Sequence, residues 1–352
     1  MNEINLLFMK KNIQDEINND PPNKIVSKIT QTSKDILSNI FKINDTSKDL
    51  VNSKLSSKIP KYDIESYVLY NKHNFVYDKL WIAQTQNLKC GKLEDLNINE
   101  APYPIFIKPR YGHKTSSSKN CYKIKNAKEI KKFLHLKNMM WSEFLPATET
   151  MTDFILHKGN IVFQLTYLYS DKQNGFSDDF KTIDCNNKPS PKIISWVNTY
   201  LKSFTGVVNI QSRGNIVIEV GLRFARGGTY IISTKNDDLI NNINNLFNNK
   251  TWDYSKDLTF EKFYSFKCFS KIPILYILPQ YITNKFFSET IFHDYYFEPV
   301  GKFGDVFYQF STRDFEYGLE KKKEFEKINY YLQSFFILFA IIIILLFIID
   351  KK

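Results

Sequence analysis

The alternation of apolar and polar residues changes period several times along this chain, and each change marks an element. Residues 1 to about 60 carry only short helical patterns, such as "SKDILSNIFKIN", in a polar background rich in Asn, Lys and Ser. Around "DIESYVLYNKHNFVYDKLWIAQTQNLKCG" the pattern predicts a strand, a turn and a helix opening near Asp78, whose short carboxylate suits an N-cap. "YPIFIKPRYG" reads as a strand halted by Pro109, and "CYKIK" as another strand beyond the loop "GHKTSSSKN". "NAKEIKKFLHL" has the spacing of an amphipathic helix capped by Asn126. From Met139 to Ser170 the chain reads as linker, strand, a turn at Lys158-Gly159-Asn160, and strand. Helical spacing returns in "SPKIISWVNTYLKSFT" and "NDDLINNINNLFNN", on either side of a hairpin that turns at Arg213-Gly214-Asn215. Aromatic-rich strands with turns follow from about 251 to 318. Helices alternating with antiparallel hairpins predict the α+β class, not a doubly wound parallel sheet.

The last pattern loses its period. "YYLQSFFILFAIIIILLFIIDKK" holds roughly twenty mostly apolar residues, Tyr330 to Ile349, enough for about 30 Å of helix across a bilayer. Tyr330 and Tyr331 suit one membrane interface, and Asp350-Lys351-Lys352 closes the other. The preceding "EKKKEFEK" carries more lysines than the segment after, so the positive-inside tendency keeps the bulk of the chain cytosolic. A single-pass, tail-anchored protein is predicted.

Composition narrows the classes. A chain of 352 residues with 43% hydrophobic content can bury one large or two modest cores, which excludes general disorder. Lys and Arg outnumber Asp and Glu by 48 to 37, a net charge of +11 that suits nucleic acid, acidic lipid or phosphorylated substrates. The lysines are spread out and no RRM, zinc-finger or helix-turn-helix signature accompanies them, which argues against nucleic acid as a partner. Cys90, Cys121, Cys185 and Cys268 are isolated from one another and from histidine, so they read as free thiols rather than a zinc site or a disulfide framework. The N-terminus lacks the small-residue cleavage site of a signal peptide.

Two stretches carry candidate chemistry. In "IFIKPR", Lys108 alternates with Phe106; a nucleotide phosphate would satisfy a strand lysine, and so would snorkelling from a sheet edge. In "NIQSRGNIVIEVGLRFARGG", Glu219 stands in an otherwise apolar strand, with Gln211 across the turn and Arg223 and Arg226 after it. That acid is either a metal ligand or the partner of one of the arginines.

Taken in order, "YDKLWIA", "YPIFIKPR", "WSEFLPATETMTDF", "GVVNIQ" and "VIEVGLR" resemble the ATP-grasp superfamily over roughly residues 70 to 245. The resemblance implies two α+β subdomains with antiparallel sheets closing around ATP. It also implies activation of a carboxylate as an acyl phosphate, which an amine or other nucleophile attacks. On the matching positions, Lys79 and Lys108 would face the ATP phosphates. The linker Glu143, Phe144 and Leu145 would meet the adenine, and Glu149 the ribose. Gln211 and Glu219 would hold Mg²⁺, and Arg223 and Arg226 would face the γ-phosphate and the acyl phosphate. The chain then divides into a polar region 1–70 (a reduced substrate-binding part), an ATP-grasp-like domain 71–250, a β-rich accessory region 251–320 and a transmembrane helix 330–349.

The match is incomplete. The family usually has Asn two residues after the metal-binding Glu, then Pro-Arg; here stand Gly221, Leu222 and Arg223. Its phosphate-covering loop is normally glycine-rich, whereas "GHKTSSSKN" offers hydroxyls and ammoniums, with His113 either at a phosphate or in solvent. Glu298, Arg313 and Asp314 either line a substrate pocket or merely pack strands. The expectation is a membrane-anchored, ATP-dependent ligase. Its alternative is a catalytically impaired version that binds nucleotide or serves as a membrane-anchored structural protein.

Overall fold

The computed structural model describes residues 54–114, 120–170, 173–174, 177–270, 280–298 and 305–350. The helical pattern near residue 40 and the serines of the loop 115–119 lie outside the described residues. The chain divides into two compact units, one of Met1–Asp45 with Ile274–Phe286 and one of Thr46–Pro273 with Phe287–Lys352. Everything below except α7 belongs to the second.

Two antiparallel sheets dominate that unit. After α1 (Asp63–Leu69) and α2 (Lys79–Gln84), the strands β1 (Cys90–Lys92), β2 (Ile105–Pro109), β3 (Tyr122–Ile124) and β4 (Met139–Glu143) form a small sheet of order β1-β4-β2-β3. The period-two rule decides its faces. Ile105 and Ile107 enter a core with Leu93, Ile124, Ile130 and Met139, while Lys108 faces the other way. Of the helix expected from Asn126, only the turn α3 (Ala127–Ile130) forms, capped as predicted by the Asn126 side chain.

The large sheet contains β5 (Glu149–His157), β6 (Asn160–Tyr169), β9 (Phe180–Ile183), β10 (Gly206–Arg213), β11 (Ile216–Gly221), β12 (Phe263–Ser270), β13 (Phe292–Glu298) and β14 (Asp305–Thr312). The short pair β7 (Gln173–Asn174) and β8 (Ser177–Asp178) stands apart from it. Its order, β11-β10-β5-β6-β9-β12-β14-β13, shows that the strands after residue 251 extend the same sheet instead of forming a layer of their own. At the β5–β6 turn, Lys158 and Gly159 adopt φ of 53° and 82°. A Cβ on Gly159 would meet the Lys202 carbonyl oxygen at 1.8 Å, so only glycine fits.

Helices cover both faces of the large sheet. α4 (Pro191–Tyr200), capped by Ser190, buries Ile193, Trp196 and Val197 against Phe154, Leu156, Val208 and Ile210. On the opposite face, α5 (Thr229–Ser233) and α6 (Asp237–Asn249) pack Ile231, Leu239, Ile243 and Leu246 on Ile155, Leu165, Ile183 and Phe263. Each such fully buried side chain stabilises the fold by about 1.5–3 kcal/mol. "DIESYVL", expected as a strand, is the helix α1. Its Tyr67 and the following Tyr70 pack on the α4 side of the sheet, an outcome set by tertiary contact rather than by β-propensity.

Of the first unit, the helix α7 (Gln280–Phe286) is described. The last helix, α8 (Phe315–Asp350), starts well before the apolar run. Lys322, Phe325, Asn329 and Gln333 form a buried stripe, and the Asn329 and Gln333 amides donate to Ser270 Oγ at 3.2 and 2.9 Å. Among the described residues beyond Gln333 the apolar side chains stand exposed, Phe335 at 61% and Leu346 at 60%. α8 is long and apolar enough to cross a membrane.

Candidate active site

The site is assembled around the free edge of β11. Asp78 caps α2 by accepting from the Leu80 and Trp81 N–H groups, and Arg110 at the end of β2 binds the same carboxylate at 2.5 Å. This joint fixes Lys79, the first residue of α2, whose own N–H donates to the Arg110 carbonyl at 2.9 Å. Farther along, Gln86 pairs with both backbone groups of Val217 at 2.9 and 2.8 Å, covering the edge of β11 as another strand would. Lys108 donates to the Ile218 carbonyl at 2.8 Å.

Glu219 lies between these lysines. Its Oε2 is 3.0 Å from Lys79 Nζ, the lysine being 5% exposed and the acid 35%. Burial opposes its charge, but the Lys79 and Lys108 ammoniums outweigh that and hold its carboxyl below the ordinary range. Lys108 is pulled down to about 8 by burial and by Lys79, with Glu219 working against the shift. The open choice for Glu219 is thereby narrowed. Its ion-pair partner is Lys79, while Arg223 binds Asp63 at 2.6 Å.

Strand register carries the same face across the sheet. Glu219 lies opposite Gln211, Gln211 opposite Met151, and Met151 opposite Tyr167. Two residues along, Arg213 lies opposite Glu149, and Lys181 stands between Tyr169 and Ser265. Gln211 and Glu219, an amide and a carboxylate, are therefore cross-strand neighbours. Glu149 binds Arg213 at 2.8 Å, yet burial lifts its carboxyl above the usual range. In the linker, the Glu143 and Phe144 N–H groups donate to the Lys89 and Pro104 carbonyls at 2.8 and 3.1 Å, tying it to the small sheet just before Leu145. Arg226 sits in the left-handed region at φ 50°, ahead of Gly227 and Gly228, and its charge reaches Tyr169.

Three features escaped the sequence reading. Asp153, 1% exposed, accepts from the Tyr167 hydroxyl at 2.5 Å, the Asn209 amide at 2.7 Å and the Ala225 N–H at 3.2 Å. It pins the arginine-bearing loop to the sheet, and burial raises its carboxyl to about 6 against those hydrogen bonds. Asp178 gathers two buried lysines, Lys181 at 2.8 Å and Lys267 at 2.6 Å. The third is Cys121, whose thiol is pushed up by burial within the fields of Lys79, Glu219, Lys108 and Glu149. Asn209 and Ala225 reach Asp153, and Lys267 reaches Asp178, from far along the chain, so local pattern does not show these contacts; Lys181 is only three residues from Asp178.

Comparison with solved structures places this architecture. The chain matches an L-amino acid ligase from Bacillus licheniformis with a TM-score of 0.50 at 17% identity, over 72% of this chain and 71% of that one. It matches a phosphoribosylamine–glycine ligase from Thermotoga maritima with a TM-score of 0.52 at 14% identity, over 76% and 82%. Its fold is similar to that of these two enzymes. No protein-family model and no curated protein matches by sequence.

Two readings that the sequence leaves open are narrowed by local contacts. His113 is not a solvated loop histidine: it stacks on Tyr67 with ring centroids 3.7 Å apart, and burial lowers its imidazole to about 4. Arg313 and Asp314 are accounted for without a pocket. Arg313 pairs with the exposed Glu261, and Asp314 Oδ1 accepts from the Tyr317 N–H in the first turn of α8.

Proposed function

We propose that this chain is a membrane-anchored ATP-dependent ligase. The substrate carboxylate attacks the γ-phosphorus of ATP, the bond to the β–γ bridging oxygen breaks, and ADP leaves. An amine or other nucleophile then attacks the acyl carbon, expels phosphate and gives up its proton. The observation that carries this reading is the convergence of Lys79, Lys108, Gln211 and Glu219 from α2, β2, β10 and β11.

The residues fit a nucleotide with a divalent cation. One carboxylate and one amide oxygen, completed by phosphate oxygens, match what Mg²⁺ prefers, so Glu219 and Gln211 would hold it. Bound there, it would neutralise phosphate charge. Lys79 and Lys108 supply positive charge in a partly desolvated setting, where such charge acts most strongly on a phosphoryl group. Arg223, held beside the same strand, would face the terminal phosphate, with Arg226 at the acyl phosphate. Glu149 and the linker backbone would orient the ribose and adenine.

Nucleotide-induced thermal stabilisation, followed by ADP release with a panel of carboxylates and amines, tests this function. Stabilisation without ADP release under any pairing would favour the impaired alternative, to which Gly221 already points. A pH effect follows from Lys108. Its folded-state value of about 8 lies below the ordinary lysine value, so it sheds its proton first and the phosphates lose a positive partner. Nucleotide affinity is expected to fall as pH rises from 7 to 9, and Lys108→Arg to flatten the profile. An unchanged affinity would take Lys108 off the phosphates. For the anchor, α8 predicts that the full-length chain resists extraction with alkaline carbonate and is released by detergent. Release by carbonate alone would remove the membrane span.

A further inference from the structure

One carboxylate at the edge of the site comes from a helix that the motif reading passed over. Gly221 follows Glu219 by two residues on β11, so both face the same way. A Cβ built on Gly221 would lie 2.7 Å from Asp63 Oδ1, so the Asp63 carboxylate occupies the place of a side chain at 221. It is firmly held there. The Tyr77 hydroxyl donates to Asp63 Oδ1 at 3.2 Å, lies 2.6 Å from Ser66 Oγ, and accepts the Leu222 N–H at 2.9 Å. The other oxygen, Oδ2, binds Arg223 Nη2 at 2.6 Å, while Arg223 Nη1 donates to the Phe224 carbonyl at 3.0 Å.

We propose that Asp63 is the positioning residue for Arg223: α1 supplies a carboxylate in the space that Gly221 leaves open beside β11, and it aims the guanidinium at the terminal phosphate. Three observations support it. The two hydrogen bonds just named fix the guanidinium plane and leave further N–H groups of the fork to donate to an anion. Gly221 and Asp63 are complementary, since a side chain at 221 would displace the acid. Asp63 is the first residue of α1, where an acid is favoured by the helix dipole, and Ser66 of the same helix steadies Tyr77. The inference rests on the nucleotide reading above.

The test moves the acid from helix to strand. ATP and ADP affinities are measured with Mg²⁺ for the native chain, Asp63→Asn, Asp63→Ala, and Asp63→Ala combined with Gly221→Asp. Losing a charge-assisted contact to the γ-phosphate is expected to weaken ATP about tenfold in both single variants and to leave ADP, which lacks that phosphate, within about twofold. The double variant, with its carboxylate on β11, should recover most of the preference for ATP. Should Asp63→Ala fail to fold, Asp63→Asn still carries the test, because its amide oxygen can accept from Tyr77. Equal weakening of ATP and ADP, or no weakening, in a folded variant would reduce Asp63 to a structural ion pair and overturn the proposal. A native chain that binds neither nucleotide removes the underlying reading as well.

Discussion

Replacing Asp178 by Asn is expected to cost about 3–5 kcal/mol of folding stability, because it leaves two buried ammoniums without their shared carboxylate. Lys181 and Lys267 are 3% and 5% exposed, so water cannot easily take over the role of the acid. The Lys181 ammonium also lies 4.1 Å from the centre of the Tyr169 ring, a contact too weak to replace a carboxylate. Adding Lys267→Met to Asp178→Asn should recover part of the loss, since removing both partners of a buried pair costs less than removing one. Burial opposes the charge on Asp178, but the two lysines outweigh it and hold its carboxyl well below the ordinary range. The sign follows. A depressed folded-state value stabilises above the unfolded carboxyl value of about 3.9, and this contribution is lost as pH falls below it. Urea titrations at pH 7 of the native chain and both variants measure the effect. A loss below about 1 kcal/mol would mean that the lysines are better solvated than their burial indicates.

The second large effect belongs to Glu219→Gln, which should abolish the magnesium-dependent part of nucleotide stabilisation. A ligand at 100 times its Kd stabilises the folded state by roughly 2.7 kcal/mol, a visible rise in melting temperature. Glutamine keeps the size of the side chain and removes the charge that a divalent cation requires. It also strips Lys79 of its ion-pair partner, so the variant melts lower even without ligand. The informative quantity is therefore the shift between ligand-free and ligand-bound protein within each variant. Lys79 and Lys108 should retain a smaller, magnesium-independent shift with ATP. A full magnesium-dependent shift in Glu219→Gln would sink the metal assignment, while the lysine cluster would still require an explanation.

Much of this was legible beforehand, and the reasons are local. Asp78, Asn126 and Ser190 cap their helices because short polar side chains satisfy the first free N–H groups wherever a helix begins. The turn at Arg213-Gly214-Asn215 joins β10 to β11, but continued regularly it would set Gln211 opposite Ile218; a bulge between Gln211 and Ser212 shifts the register and brings Glu219 there. Lys108 and Glu219 were readable as polar residues at positions where pattern favours apolar ones, and Lys79 only through the resemblance.

Their partners were not readable. Nothing in the sequence links Glu219 to Lys79 rather than to a nearby arginine, or Arg223 to an acid 160 residues earlier. Asp153 looks like an interruption in an apolar strand until Tyr167, Asn209 and Ala225 are brought to it. Likewise, β12, β13 and β14 show strand character but not which edge they join. Period, capping and turn chemistry act over a few residues, so the sequence by itself determined the kinds of element, the β10–β11 turn and an apolar C-terminal helix. Pairings between distant strands, and the charges buried by them, depend on packing free energies that appear only after collapse. Those the tertiary structure alone decided.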